Sequence, residues 1–489
     1  MKIKHVSKIV RTVSIWLFVM VLLTAGKIDA NSGGIESSKV KSIVPPNQIM
    51  GTLTSPGPDR VNGTITTNNP PTPRNPRNPR TPPRPVFRAA GPLRSVAYFT
   101  QWGIYVRNYN VKDLDTSRVA SKLTAINYAF AGITSDSKCK SFDAWADYQK
   151  HFTDTVSGQP DSWNDPNPLA GNFKQLKELK AKYPKLKILI SIGGWTLSGQ
   201  FSTATQPANL QSFVKSCVDM FINGNMPGLA PGAATGIFDG IDIDWEYPAF
   251  PRTDGQSSGG YVDSPNDTQN YTAMVAEFRR QLGNNHLLTI AAPAGQDKYS
   301  KIQLSKISQY LDWINLMTFD YHGSWDTHTD IQAPLYCNPK DPSPWIEKAY
   351  CIDNSVNGYL KAGVPANKIN LGLPFYGHGW TNVPSTNGGL FQSSTQAAPG
   401  LYPDAPGVND YKVLEKLESQ GYMSHRDSLT KGYWVFNGST FWSYDDPQEV
   451  TIKMNYAKSK GLGGAFCWSI DGDDPQGTLL NAMTGSKVN

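Results

Sequence analysis

The sequence contains little cysteine, and its five cysteines include no Cys-x-x-Cys pair, which argues against a structural zinc site. Cys337 and Cys351 flank one loop and are the one pair that we predict to form a disulfide. Cys467 lies within an apolar stretch and is expected to be a buried free thiol.

The body of the chain also lacks an excess of basic charge. The whole sequence has a formal net charge of +6. From Gly91 onward, however, there are 33 basic and 37 acidic residues, which gives a net charge of −4. The basic excess therefore belongs to the first 90 residues, and no nucleic-acid partner is predicted.

The apolar run near the start is too short for a membrane span. It extends over Val13–Ala25, whereas a transmembrane helix needs roughly 20 apolar residues. Basic residues precede it, and Ile28-Asp29-Ala30 follows as a cleavage site. Residues 1–30 are therefore predicted to be a secretory signal peptide, and the processed protein is predicted to be secreted without a membrane anchor. An uncleaved anchor is the alternative.

Residues 31–90 have no aromatic side chain before Phe87 and few large aliphatic ones, but they are rich in proline and arginine. Such a composition cannot bury a core and favours an extended chain. This segment is predicted to be a disordered linker.

A row of acids stands out in Phe238–Pro248. If this segment is a strand, Asp242, Asp244 and Glu246 share one face, because side chains alternate along a strand. Neighbouring acids would lie roughly 6.5–7 Å apart, from a rise of ~3.3 Å per residue. Burial of such like charges predicts that at least one acid keeps its proton to unusually high pH, as protonation of a glycosidic oxygen requires.

Two other interpretations of the acids are open. Carboxylate-rich segments also bind Ca²⁺, and an acidic row can be the solvent-exposed face of a strand. The alternate residues Ile241, Ile243 and Trp245 are apolar, however, which predicts burial on both faces, as in a parallel barrel.

The segment Asp239-Gly240-Ile241-Asp242-Ile243-Asp244-Trp245-Glu246 fits the DxxDxDxE signature and resembles the family 18 glycoside hydrolases, the chitinases. Further likeness extends from about Ser95 to about Met483. The resemblance implies a TIM barrel, an α/β fold, with Glu246 as general acid at the C-terminal end of the fourth strand. It also implies that Asp244 holds the substrate's acetamido group and that Asp242 shares its charge.

The alternation of apolar and helical stretches predicts a (β/α)8 barrel, with an open doubly wound sheet as the alternative. The latter would need a Gly-rich phosphate loop, which we do not find. Strands are predicted near 96–100, 125–131, 187–192, 237–245, 287–292, 314–319, 370–373 and 464–468.

The interval between the last two predicted strands is too long for one loop and one helix. Residues 376–442 are therefore predicted to form a small inserted α+β domain between strand 7 and helix 7, which resembles the chitinase insertion domain. The barrel domain is predicted to comprise residues 91–375 and 443–489.

The segment Met317-Thr318-Phe319-Asp320-Tyr321 resembles the family's strand-six motif with one departure. Phe319 stands where a Tyr usually offers its hydroxyl to the acetamido oxygen. Tyr321 has the same strand parity and is a hypothetical replacement for that hydroxyl. The resemblance makes Met317, Phe319, Asp320 and Tyr321 candidate substrate-binding residues.

Other short motifs supply the remaining candidates. Ser191-Ile192-Gly193-Gly194-Trp195 resembles the strand-three motif, in which the glycines serve either packing or substrate contact. By resemblance, Trp468 would be the floor on which the sugar stacks. The further candidate substrate-binding residues are Tyr98, Trp102, Gly193, Gly194, Trp195, Thr196, Tyr247 and Tyr376.

The resemblance implies a secreted, monomeric chitinase that hydrolyses β-1,4 bonds between N-acetylglucosamine units of chitin or chito-oligosaccharides. The expected mechanism retains configuration and uses the substrate's acetamido group. No cofactor and no metal ion are expected. The alternatives are an endo-β-N-acetylglucosaminidase that acts on glycoprotein glycans and a non-catalytic chitin lectin, against which the presence of Glu246 argues.

Overall fold

A closed barrel of parallel strands forms the centre of the computed structural model, which describes residues 93–162, 164, 169–252, 254–257, 260–344, 346–402 and 405–486. In chain order the first eight strands are β1 (Arg94–Thr100), β2 (Ala125–Ile133), β3 (Cys139–Ser141), β4 (Lys187–Gly193), β5 (Gly240–Asp244), β6 (Leu287–Pro293), β7 (Trp313–Met317) and β8 (Ile369–Pro374). The predicted signal peptide (1–30) and linker (31–90) lie outside the described residues.

The barrel consists of seven of these strands and β15 (Gly464–Trp468). Strand β3 is not part of it and pairs antiparallel with the end of β2. The barrel closes where β1 pairs parallel with both β2 and β15. The predicted TIM barrel is confirmed, and each of its strands lies within a few residues of its predicted position.

Helices connect most of the strands, as the predicted alternation requires. The α-helices are Val111–Thr116, Gly171–Lys182, Phe201–Ala204, Leu210–Cys217, Asp267–Leu282, Gln296–Tyr299, Leu304–Ile307, Ile352–Lys361, Tyr411–Leu414, Pro447–Ser459 and Thr478–Thr484. In Pro447–Ser459, proline occupies the first turn and the Asp446 side chain accepts the N–H of Glu449 at 2.8 Å, so the helix start is well capped. None of the described helices combines the length and the apolarity needed to cross a membrane.

The fourth barrel strand, β5, is buried along its whole length. Ile241 and Ile243 belong to the same hydrophobic cluster as Phe278 of the helix Asp267–Leu282. One face of β5 therefore packs against the surrounding helices, and the alternate face, which carries Asp242 and Asp244, points into the barrel.

A second sheet follows β8. It contains β9 (Tyr376–Thr381), β10 (Gln396–Ala397), β11 (Val408–Asp410), β12 (Met423–Arg426), β13 (Tyr433–Phe436) and β14 (Phe441–Tyr444). Their order is β10-β9-β14-β13-β12, with β11 on β9, and every pairing is antiparallel. Strand β14 runs past residue 442, and the division of the chain into domains remains a prediction.

Two disulfides lie within the described residues. Cys337 is joined to Cys351, and Cys139 is joined to Cys217. The second pair is not predicted by the sequence: its members are 78 residues apart, and they meet because β3 lies beside the end of the helix Leu210–Cys217. Cys467 is a buried free thiol.

Candidate active site

The three acids of the signature lie at the C-terminal end of β5. Asp242 and Asp244 are strand residues, and Glu246 follows two residues beyond the strand. Their exposed fractions are 0%, 4% and 9%, so none of them faces bulk solvent. Asp239 lies apart from them, where it accepts the N–H of Ile188 at 2.9 Å and pairs with Lys180 at 2.8 Å.

Asp242 is the deepest of the acids and is held by hydroxyl donors. Tyr98 donates to it at 2.7 Å, Ser191 at 2.8 Å and Thr289 at 2.5 Å. Burial raises the pKa of Asp242, and these donated hydrogen bonds oppose the rise. Three different strands supply these donors, so the barrel itself fixes the position of this carboxyl group.

Asp244 carries an oxygen without a partner. Its Oδ1 is buried and accepts no hydrogen bond from any described residue. Burial, followed by the charges of Glu246 and Asp242, raises the pKa of Asp244 well above its ordinary value. A buried acceptor without a donor is costly, which makes it a candidate contact for an incoming N–H group.

The backbone of Glu246 is held by a side chain of a neighbouring loop. Its N–H donates to the Ser198 Oγ at 2.9 Å. Burial raises the pKa of Glu246 to about 7; a hydrogen bond to the Tyr247 side chain and the charge of Arg252 oppose this rise, while the charge of Asp320 adds to it. The carboxyl group can therefore hold a proton near neutral pH and give it to a bound group.

The acids open into a cleft of about 350 Å³ with mostly aromatic walls. Trp102 and Trp195 are 36% and 40% exposed at its mouth. The cleft brings together these predicted site residues: Tyr98, Trp102, Trp195, Thr196, Asp244, Glu246, Tyr247, Met317, Phe319, Asp320, Tyr321 and Trp468.

Trp468 ends β15 and anchors the aromatic floor of the cleft. Its ring stacks on Phe130, with centroids 5.5 Å apart and an interplanar angle of 17°. Tyr98 and Trp102 contact it at centroid distances of 5.4 and 6.3 Å. A flat, preorganised ring surface of this kind suits the C–H face of a sugar.

Asp320 lines the cleft and is held by two neighbouring side chains. Its Oδ1 accepts the Tyr376 hydroxyl at 2.5 Å and lies 2.7 Å from the Nε2 of His378. Tyr376 does not line the cleft itself but holds Asp320 from behind.

In the motif that follows the sixth barrel strand, β7, the tyrosine hydroxyl of the related motif is absent, because residue 319 is a phenylalanine. Phe319 lines the cleft and packs against Tyr376 and Phe466. The ring of Tyr321 also lines the cleft, but its hydroxyl lies 2.7 Å from the Ser355 Oγ on the helix Ile352–Lys361. The Tyr321 hydroxyl is therefore already engaged, which argues against the hypothesis that it replaces the one absent from Phe319.

Gly193 and Gly194 lie where the neighbouring atoms leave no room for a side chain. They have φ angles of +113° and +81°. A Cβ on Gly193 would lie 2.1 Å from the Asp244 carbonyl oxygen, and one on Gly194 would lie 2.6 Å from the Phe130 ring. The lack of side chains lets β4 lie close to the acids.

Several residues in or beside the cleft were not predicted from the sequence. Phe130 supports Trp468, Lys298 lines the cleft, and Ser198 fixes the Glu246 backbone. Arg252 packs over Trp195, 3.6 Å from the ring centroid, and donates to the Glu246 carbonyl oxygen at 3.2 Å. All four lie outside the matched motifs, and no spacing rule singles them out.

The acids do not resemble a cation site. Among the described residues, the group of potential metal ligands in mutual reach consists of His322, Asp330 and Asp341, which excludes the signature acids. Asp242 is instead occupied by hydroxyl donors. The Ca²⁺ interpretation of the row is therefore not supported.

Comparison with known proteins agrees with this geometry. The sequence profile of Glycosyl hydrolases family 18 matches residues 94–473. The chain is 38% identical to Chitinase C of Streptomyces lividans over 390 residues, which cover 78% of this chain and 58% of that protein. It is 35% identical to Chitinase A1 of Niallia circulans over 439 residues, which cover 81% and 58%. The chain thus spans about three fifths of the length of these curated relatives.

A solved structure shares the architecture. The catalytic domain of the psychrophilic chitinase B from Arthrobacter TAD20 superposes with a TM-score of 0.74 at 37% sequence identity, covering 81% of this chain and 95% of that one. The profile match extends over most of the barrel and includes the acids, the aromatic floor and the strand-six motif. The chain belongs to glycosyl hydrolase family 18.

Proposed function

We propose that the protein is a chitinase that hydrolyses β-1,4 bonds between N-acetylglucosamine units. The observation that carries this proposal is the buried row of acids ending in Glu246, whose pKa is raised to about 7 beside an aromatic cleft. Relatives named chitinases, at 35–38% identity, support it.

In this proposal Glu246 protonates the glycosidic oxygen as the bond to the leaving sugar breaks. The acetamido oxygen of the sugar on Trp468 attacks its own anomeric carbon and forms an oxazolinium ring. A water molecule then gives a proton to the ionised Glu246 and adds to the anomeric carbon, which reopens the ring with retention of configuration.

Asp244 has the role of orienting the nucleophile. Its unpartnered Oδ1 is available to accept the acetamido N–H, which fixes the amide and increases electron density on its oxygen. Asp242, held by three hydroxyls, places a second carboxyl group beneath Asp244 and raises its pKa.

The roles of the remaining cleft residues follow their positions. Trp468 would stack with the sugar at the cleavage site, and Trp102 and Trp195 at the mouth would stack with neighbouring sugars. Asp320, Tyr247 and Met317 would contact the ring substituents beside Glu246.

The test is product analysis on chitohexaose and colloidal chitin, with wild type beside Glu246→Gln. We expect short N-acetylglucosamine oligomers of retained anomeric configuration from wild type and a loss of at least ~10³-fold in kcat from the variant. Cleavage of high-mannose glycans without cleavage of chitohexaose would replace the proposed substrate with glycoprotein glycans. Binding of chitin without turnover would make the protein a lectin.

We also propose that the protein is secreted. The sequence features of residues 1–30 support export, and two disulfides fit an oxidising compartment. N-terminal sequencing of protein from the culture medium should give a chain that begins after Ala30. Retention of residues 1–30 in a membrane fraction would contradict it.

A further inference from the structure

The loop between β7 and the helix Ile352–Lys361 contains a second group of ionisable side chains, separate from the signature acids. His322, Asp330 and Asp341 are only 2%, 4% and 5% exposed. One potential ligand atom from each lies within 4.8 Å of the others. The proposed hydrolytic mechanism uses none of them.

Asp330 is the least satisfied member of this group. Its Oδ1 accepts the N–H of Ile331 at 2.6 Å, but its buried Oδ2 has no hydrogen-bond partner among the described residues. The Nε2 atoms of His322 and His328 lie 4.0 and 3.9 Å from this Oδ2. These separations are too long for hydrogen bonds, yet they are short enough for a bound ion to bridge this oxygen and an imidazole.

His322 is oriented as a metal ligand usually is. Its Nδ1 lies 3.1 Å from the Oδ2 of Asp326, which fixes the ring and directs the Nε2 toward Asp330. Histidine ligands typically place their second ring nitrogen on a carboxylate in this way.

The group has more carboxylates than histidines to pair with them. In the part of the chain that the structure describes, the ion-pair partners of Asp326, Asp330 and Asp341 are the two histidines alone, with no Lys or Arg. Buried carboxylates at such short separations repel one another unless a positive charge lies between them.

We propose that His322, Asp330 and Asp341 bind one divalent cation, with His328 as the fourth ligand and Zn²⁺ as the best match. Two imidazoles with two carboxylates form a mixed nitrogen and oxygen set that suits zinc better than calcium or magnesium. This site revises the expectation from the sequence that the protein binds no metal.

Formation of the site requires the ligand atoms to move closer together. The His328 Nε2 lies 3.9 Å from oxygens of both Asp330 and Asp341. Adjacent ligands of a tetrahedral zinc ion with bonds of ~2.1 Å lie about 3.4 Å apart. The separations within the group, which reach up to 4.8 Å, would therefore shorten by up to about 1.4 Å. His328 would also exchange its 3.0 Å contact with the Ser343 hydroxyl for the ion.

The ion has a structural role in this proposal. His322 follows Asp320 by two residues, and Thr329 donates its N–H to the Gln392 carbonyl oxygen of the segment between β9 and β10 at 2.9 Å. A cation that joins His322, Asp330 and Asp341 would tie together the loop that presents Asp320 to the cleft.

The test uses the full chain dialysed against a chelator and then titrated with ZnCl₂, CaCl₂ or MgCl₂. We expect one zinc per chain by calorimetry and by elemental analysis, and a rise of several degrees in Tm with zinc. Asp330→Asn and Asp341→Asn should each weaken zinc binding by roughly 100-fold or more and remove the zinc-dependent rise. His286→Gln, a histidine outside the group, should behave as wild type.

Two aspartate variants are used in case one of them fails to fold. A single folded variant that does not bind zinc is enough to support the site. Absence of a zinc-dependent rise in the wild-type Tm would overturn the proposal, as would an unchanged rise in a folded Asp330→Asn protein. Stoichiometric calcium binding without zinc binding would overturn the assignment of the ion.

Discussion

On the proposed mechanism, the proton on Glu246 sets the expected pH dependence of catalysis. Because burial raises the pKa of this group to about 7, the acid is mostly protonated below that pH and ionised above it. We expect kcat/KM on a soluble chito-oligosaccharide to fall about tenfold per pH unit above pH ~7. A pH profile that stays level to pH ~9 would show that Glu246 does not supply the proton.

The same raised pKa predicts that the protein becomes less stable as the pH rises. The folded protein holds the Glu246 proton more tightly than the unfolded chain, so the free energy of unfolding falls as the pH rises from the ordinary value of 4.5 to about 7. Glu246→Gln removes this titration. The free energy of unfolding of the variant, relative to that of wild type, should therefore rise by ~1–3 kcal/mol from pH ~4 to pH ~8, as measured by urea unfolding. The same difference at both pH values would refute the linkage.

Phe319 offers a gain-of-function test. Its ring lines the cleft where the related motif has a tyrosine, and the one nearby alternative, the Tyr321 hydroxyl, is engaged by Ser355. In Phe319→Tyr, a hydroxyl aimed at the acetamido oxygen should stabilise the charge that develops there and raise kcat ~3–10-fold. The check is kcat on chitohexaose, and an unchanged or lower kcat would mean that the hydroxyl does not reach the acetamido oxygen.

Tyr321→Phe is the matched control for that experiment. Phe319→Tyr adds a phenolic hydroxyl to this loop, whereas Tyr321→Phe removes one that contacts Ser355. We expect unchanged turnover and a loss of ~0.5–1.5 kcal/mol in the free energy of unfolding. A large loss of kcat would return Tyr321 to the candidate catalytic residues.

At the scale of elements, the approach of β4 to β5 depends on Gly193. Its φ is +113°, and an added Cβ would lie only 2.1 Å from the Asp244 carbonyl oxygen, so there is no space for a side chain. Gly193→Ala should cost ~2 kcal/mol or more and displace Asp244, which lowers kcat. Gly158→Ala is the control, because φ is +77° there but no atom lies within 4 Å of the added Cβ. Equal effects of the two changes in urea unfolding would contradict this.

The elements also show what the sequence could predict. Most barrel strands were predictable because they are short, largely apolar runs between polar or glycine-rich segments. Strand β5 was predictable from its alternation of isoleucines and acids. The disulfide Cys139–Cys217, the support of Trp468 by Phe130 and the contact of Arg252 with Glu246 were not. These depend on how distant segments meet in space, which alternation along one strand does not encode.

At the scale of the whole molecule, the two disulfides close loops of very different length. The Cys139–Cys217 bond spans 78 residues and Cys337–Cys351 spans 14. Chain entropy predicts that loss of the first costs ~4–5 kcal/mol and loss of the second ~3 kcal/mol. Urea unfolding of the Cys139→Ser/Cys217→Ser and Cys337→Ser/Cys351→Ser proteins measures both. A greater loss for the shorter loop would show that local packing, not loop length, dominates.

The unpartnered Oδ1 of Asp244 has a consequence for partly deacetylated polymers such as chitosan. A glucosamine unit placed over Trp468 would bring its amino group to this carboxyl group and bind, yet it has no carbonyl with which to form the ring intermediate. Such a unit would occupy the cleft as a competitive inhibitor. On the proposed mechanism, cleavage would therefore occur only on the reducing-end side of acetylated units, and the products would reflect the acetylation pattern of the polymer.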